Sequence, residues 1–304
     1  MQMVTIGTSA LESSRLVHGC MRLKGDGSAE ARRRGMDAVQ AAVACGINHF
    51  DHADIYGGSG ECERIFGKLL REAPGLRERI LITSKCGIRG ENVPNPGDPH
   101  RFDFSREHIT ASVEGSLSRL GIEALDILLL HRPDYLCDPH EVAETFDQLH
   151  SQGKVRYFGV SNCSTSQVSL LQAFCRQPII MNQVEFNIHR TAPMEDGVFD
   201  QCMRERITAQ AWCPLGGVAY PAWGNTFSPD VQAAVDREVA AQADKYDCDK
   251  GTLMLAWILK HPAMVLPVIG SMSPERIKAA AGALELAYTR EDWYRLIATR
   301  QKLP

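Results

Sequence analysis

Eight short apolar runs, separated by segments of helical period, constrain this chain more than any other feature. They fall at residues 15–19, 47–51, 80–85, 126–131, 155–160, 179–183, 207–212 and 265–269. Several are apolar almost throughout, as a strand covered on both faces must be; a half-exposed strand would alternate. Between the runs the pattern changes to the period of a helix. Within residues 105–120, Ile109, Val113, Leu117 and Leu120 form one stripe, with Ser105 in the N-cap position. Asp138-Pro139-His140-Glu141 offers an N-cap Asp, a Pro at N1 and a capping Glu at N3. Ser164-Thr165-Ser166-Gln167 is a second capping box, and Ser273-Pro274-Glu275-Arg276 starts a helix directly after the last run.

A strand–helix alternation sustained over about 250 residues predicts a closed (β/α)8 barrel of the TIM type, an α/β fold. An open doubly wound sheet would carry a G-x-G-x-x-G turn after its first strand. The turn here reads Gly19-Cys20-Met21-Arg22-Leu23-Lys24-Gly25, which lacks it. Residues 1–14 read as a short β-hairpin plugging the barrel bottom, and residues 291–302 as a C-terminal closing helix. No Pro/Ser-rich linker interrupts the pattern, so residues 1–304 read as a single domain.

Composition narrows the function classes. Lys+Arg 33 against Asp+Glu 37 gives a net charge of −4, which calls for neither nucleic acid nor an anionic membrane as partner. The apolar runs are far too short to span a bilayer, and residues 1–10 do not read as a signal peptide. Ten cysteines form no C-x2-C pair, so buried thiols in a reducing, cytoplasmic setting are expected rather than disulfides or zinc. Cys86 and Cys213 follow strands and are open to a reading as reactive thiols. The His49/His52 pair straddles a strand end without a carboxylate pattern, and no metal is expected.

In a barrel of this type the site is built at the C-terminal ends of the strands. Those ends deliver Asp51, Lys85, His131, Ser161-Asn162, Asn182-Gln183, Trp212 and Gly270-Ser271 to one rim. Asp51, Lys85 and His131 end three consecutive strands, and Tyr56 follows Asp51 on the adjoining loop. A phenol is a poor acid at neutral pH; a nearby ammonium lowers its pKa, and a carboxylate fixes the ammonium. His131 can orient a substrate oxygen or relay a proton.

These residues lie in segments that resemble the aldo-keto reductases. The similarity runs from Gly19 to about Ala283, through Gly46-Ile47-Asn48-His49-Phe50-Asp51-His52-Ala53-Asp54-Ile55-Tyr56-Gly57, Ile82-Thr83-Ser84-Lys85, Leu129-Leu130-His131 and Gly153-Lys154-Val155-Arg156-Tyr157-Phe158-Gly159-Val160-Ser161-Asn162. The resemblance implies Tyr56 as general acid/base, tuned by Lys85 and Asp51, with His131 orienting the carbonyl of a small aldehyde, ketone or sugar. It implies that Ser161, Asn162 and Gln183 bind the nicotinamide carboxamide, that Trp212 stacks on the ring, and that Pro214, Leu215, Gly270, Ser271 and Arg276 also contact the cofactor. Relatives often carry Lys where this chain has Gly270, and Asn or Gln where it has Ala280. The implied cofactor is NADP(H), with NAD(H) as the alternative.

Two long loops, residues 86–104 and 214–230, are expected to wall the substrate pocket and to cover the cofactor. His100, Tyr220, Trp223 and Phe227 are their candidate contacts, or else loop aromatics packed on the rim. The expected assembly is a monomer or weak homo-oligomer. Two other readings stand beside an NADP-dependent reductase: an NADP(H)-binding regulatory subunit with little turnover, and a metal-dependent barrel hydrolase.

Overall fold

The computed structural model describes residues 1–218 and 227–300. A two-stranded antiparallel hairpin comes first, β1 (Met3–Thr5) with β2 (Glu12–Ser14). The chain then runs β3 (Val17–Gly19), α1 (Ala29–Ala44), β4 (His49–Asp51), α2 (Glu61–Glu72) and β5 (Leu81–Cys86). A small hairpin of β6 (Ile88–Arg89) and β7 (Arg101–Phe102) follows. Next come α3 (Arg106–Leu120), β8 (Leu125–Leu130), α4 (Pro139–Ser151), β9 (Val155–Ser161), α5 (Thr165–Phe174) and β10 (Ile179–Glu185). The order ends with α6 (Val198–Glu205), β11 (Thr208–Trp212), α7 (Pro229–Lys245), α8 (Lys250–Leu259), β12 (Leu266–Ile269), α9 (Pro274–Ala281) and α10 (Arg290–Arg300).

The strands β3, β4, β5, β8, β9, β10, β11 and β12 close into the expected barrel, every neighbouring pair parallel. The two-residue period of a strand explains why the runs are apolar on both faces. Outward residues meet the helices: Phe50 packs on Phe66 of α2, and Phe158 stacks on Phe146 of α4 at 4.0 Å between ring centres. A second core, separate from that one, gathers Val17, Leu81, Ile127, Leu129, Met181, Leu266 and Val268 from the strands. Ile6 and Leu11 of the N-terminal hairpin join it, so the hairpin does plug the barrel. Close packing there excludes a side chain at Gly159, whose Cβ would stand 2.7 Å from both Leu129 Cδ2 and Met181 O.

The helix starts carry the expected caps with one difference. Ser105, Ser164 and Ser273 accept from backbone N–H groups of α3, α5 and α9, and Ser164 with Gln167 completes its capping box. Asp138 caps α4 through His140 N, but Glu141 does not turn back to it. Instead Glu141 accepts from Arg106 N at 2.9 Å, at the start of the neighbouring α3. An open donor on the next helix outcompetes the local one. The closing helix α10 packs on the outer ring: Trp293 stacks on Trp257 of α8 and donates to its carbonyl at 3.0 Å.

Candidate active site

Continuing each strand's inward period to its C-terminal end replaces the apolar core with polar groups. Beneath the rim, His49 bonds Thr83 at 2.7 Å and Ser13 at 2.9 Å, so it is a structural residue. One step higher stand Asp51 and Lys85. The Lys85 ammonium is fully buried and donates to Asp51 Oδ2 at 2.6 Å, to His52 O at 2.9 Å and to the Tyr56 hydroxyl at 3.2 Å. All three of its N–H groups are thus accounted for, which fixes the ammonium in place. The His131 ring meets Tyr56 edge-on, 5.9 Å between centres.

Burial and charge oppose each other here. Burial disfavours the Lys85 ammonium, yet Asp51 and Tyr56 together outweigh it and hold the pKa above the ordinary lysine value. For Tyr56 the balance runs the other way from the sequence expectation. Burial raises the phenol above its ordinary value, and Lys85 only partly offsets that, with Asp51 adding to the rise. The phenol is held as a proton donor rather than as a phenolate. Burial, then Lys85 and Arg132, push His131 well below the usual histidine range, so its ring is neutral.

Tyr56, Asp51 and His131 line a cleft of about 270 Å³ at the barrel mouth, together with Ser161, Asn162, Gln183, Trp212, Pro214 and Gly270. Lys85 lies directly behind. A second cavity of about 570 Å³ takes Leu215, Ser271 and Arg276, and also Ala280 and Lys250. The two share Arg22 and Gly270. The four catalytic candidates and the nine cofactor-binding candidates therefore fall on one of these two cavities or immediately behind one.

The residues read as carboxamide ligands are not equally available. Asn162, whose φ of +60° places it in the left-handed region, gives its amide N–H groups to His131 O and Ser161 Oγ and accepts from Trp212 Nε1 at 2.9 Å. It braces the wall and orients the indole. Ser161 donates to Gln183 O. Gln183 donates to Asp51 Oδ1 at 2.7 Å and to Gln210, which leaves its carbonyl oxygen as the acceptor for a ligand N–H.

Three residues escaped the sequence reading. Gln210 props Gln183 from the adjoining strand. Arg22 donates to Gly270 O at 3.2 Å and occupies the space beside the missing side chain, where a Cβ on Gly270 would lie 3.5 Å from its Nη1. A guanidinium thus stands beside the position that carries no side chain. Arg132 follows His131 into the cleft, and its position directly after a strand-end histidine was the signal available.

The loops divide. Ile88 of the first lines the cleft, but His100 packs edge-on against Phe102 and stays on the hairpin. Phe227 stacks on His189 at 3.8 Å, away from both cavities. Tyr220 and Trp223 lie outside the described residues. Burial pushes the Cys86 thiol well above its ordinary value and Cys213 up to about 11, so neither is an activated nucleophile. His52 is buried with neither ring nitrogen bonded, and among the described residues no cluster of three or more His, Cys, Asp or Glu is arranged to hold a metal. No helix among those residues is long and apolar enough to cross a membrane.

Residues 15–300 match the profile of the Aldo/keto reductase family. Oxidoreductase YdhF of Escherichia coli (strain K12) is 40% identical over 300 residues, spanning 97% of this chain and 96% of that protein. A 6-dehydroglucose reductase of Novosphingobium aromaticivorans is 36% identical over 310 residues, spanning 98% and 96%. Among solved structures, a glycerol dehydrogenase from Gluconobacter oxydans shares the fold with a TM-score of 0.84 at 23% identity, covering 99% of this chain and 97% of that one. The chain belongs to the aldo/keto reductase family.

Proposed function

We propose that this protein moves hydride between NADP(H) and the carbonyl or alcohol of a small aldehyde, ketone or sugar, with Tyr56 as general acid/base. One observation carries the reading: the Tyr56 hydroxyl lies 3.2 Å from an ammonium that Asp51 grips at 2.6 Å, on the wall of a cleft. The cofactor supplies the hydride, so the chain has only to bind, orient and move a proton. In reduction Tyr56 gives its hydroxyl proton to the carbonyl oxygen; in oxidation it takes one back. Lys85 stabilises the phenolate left behind. Neutral His131, which lines the same cleft, would offer a ring nitrogen to the substrate oxygen and orient it.

The two joined cavities suit a dinucleotide. Gln183 and Trp212 would hold the nicotinamide end, with Ser161 and Asn162 shaping that wall. Pro214, Leu215, Gly270, Ser271 and Arg276 would line the remainder. Arg276 at the start of α9 favours a 2′-phosphate, while Arg22, on the wall the two cavities share, adds charge for the part of the dinucleotide common to both cofactors. NADP(H) is therefore preferred over NAD(H). The similarity to a protein named as a 6-dehydroglucose reductase favours a sugar-derived carbonyl. We read residues 1–304 as one domain, working in a reducing, cytoplasmic setting that keeps its cysteines as thiols.

Tyr56→Phe tests the central claim. It keeps NADPH binding and lowers turnover ~10²–10⁴-fold across a panel of aldehydes, ketones and sugars. Near-wild-type turnover in that variant would remove Tyr56 from the mechanism. Tight NADPH binding by the wild type without turnover of any panel member would favour a regulatory subunit.

A further inference from the structure

Arg132, directly after β8, is a charged residue of the cleft that the chemistry above does not use. It is half-buried and lines the cleft beside His131 and Tyr56. Among the described residues its guanidinium has one close contact, with Cζ 5.2 Å from the centre of the Trp212 ring, and no hydrogen-bond or ion-pair partner. The carboxylate that acts on it from a distance, Glu185, already has Arg190 Nε at 3.4 Å and the Asn187 amide as partners. The guanidinium, partly stripped of water and set over an indole, therefore lines the cleft with no hydrogen-bond or ion-pair partner among the described residues.

The topology says which end of the ligand they meet. Around the closed ring the order is β10, β11, β12, β3, β4, β5, β8, β9, so β8 stands four strands from β12 in either direction. Arg132 follows β8, while Gly270, Ser271 and Arg276 follow β12. It lies across the mouth from the residues assigned to the pyrophosphate and adenosine, on the side where Tyr56 and His131 face a carbonyl. The cleft wall is otherwise largely apolar, with Met21, Ile55, Ile88 and Val268.

Resting on the reading of Tyr56 and His131 as the carbonyl-facing pair, we propose that Arg132 sets the substrate class by gripping an oxygen substituent next to the reacting carbonyl. The substrates are then oxygenated carbonyls in preference to simple apolar aldehydes. A guanidinium fork matches either two neighbouring hydroxyls or a carboxylate, because both present paired oxygen acceptors to parallel N–H groups. A cleft with an unsatisfied guanidinium also rejects apolar ligands, since burying those donors without acceptors is costly.

The test compares kcat/KM for glyceraldehyde, glyoxylate and propanal in the wild type, Arg132→Met and Arg132→Lys, with NADPH dissociation constants from fluorescence titration. The wild type is expected to prefer at least one oxygenated aldehyde over propanal. Arg132→Met is expected to shrink that preference by roughly 10- to 100-fold while NADPH affinity holds. Arg132→Lys, which keeps the charge and loses the fork, falls between them. A larger loss on glyoxylate identifies a carboxylate and a larger loss on glyceraldehyde identifies hydroxyls; either supports the assignment. An unchanged preference ratio, or a loss confined to NADPH affinity, overturns it and leaves the reductase reading standing. A wild type that binds NADPH and turns over none of these or the wider panel overturns both.

Discussion

Gln183 donates to Asp51 Oδ1 at 2.7 Å, while Lys85 donates to Oδ2 of the same carboxylate at 2.6 Å. The residue read as a cofactor ligand therefore also holds the carboxylate that holds the ammonium. Gln183→Leu should raise the dissociation constant for NADPH and, in the same variant, shift the pH dependence of turnover. A carboxamide contact alone would move only the first. Cofactor titration and a pH–rate profile on one preparation separate the two.

The raised Tyr56 pKa sets a sign for the pH profile. A phenol that titrates above its ordinary value of about 10 stays protonated through neutral pH. Carbonyl reduction should be flat from about pH 6 to about pH 9 and fall only above that, whereas alcohol oxidation should climb across the same range. A reductive profile that already declines through neutral pH would contradict the burial argument. Lys85→Met removes the group that opposes the rise and strands the Asp51 carboxylate, so lost turnover should come with about 3–5 kcal/mol of lost stability.

Arg276 and Arg22 should separate cleanly. Arg276→Ala is expected to weaken NADPH by roughly tenfold or more and to leave NADH nearly unaffected, because only the former carries a 2′-phosphate. Arg22→Ala, at the wall shared by both cavities, should weaken the two cofactors alike. Calorimetric titration of both variants with both cofactors reads this out. Equal weakening by Arg276→Ala would place the 2′-phosphate elsewhere.

Asp54, between Asp51 and Tyr56, has one carboxylate oxygen buried without a partner, and burial raises its pKa to about 7. Its folded-state value therefore lies above the unfolded one. The protonated form is the one the fold accepts, and stability should fall as pH rises from about 4 through about 7. Asp54→Asn should remove that component, so its Tm should drop less than the wild type's between pH 5 and pH 8. Parallel Tm curves for the two proteins would refute the assignment.

The barrel, its plug and its rim were legible because they depend on local chemistry. A short continuous apolar run marks a strand buried on both faces, and the residue at its end is known once the strand is. Ser105 and Ser164 mark helix starts through bonds to their own first turn. Asp51, Lys85 and His131 could be named as neighbours because they end consecutive strands. The motif resemblance added the roles and the cofactor.

What sequence could not supply are relations across the ring and between helices. That Gln183 reaches Asp51, that Arg22 fills the place beside Gly270, and that Glu141 bonds Arg106 rather than its own helix all follow from segments distant in the chain. The direction of the Tyr56 shift was of this kind too. Sequence identified an ammonium that lowers it, while the larger opposing effect of burial exists only once the barrel has closed. Arg132 was visible as a letter after His131; its lack of a partner among the described residues followed only from the closed barrel, which sets Glu185 at a distance and engages it with Arg190 and Asn187. Strand period and end residues are fixed within a few positions, whereas distances, burial and the balance of charges are set by which strands the closed barrel makes neighbours.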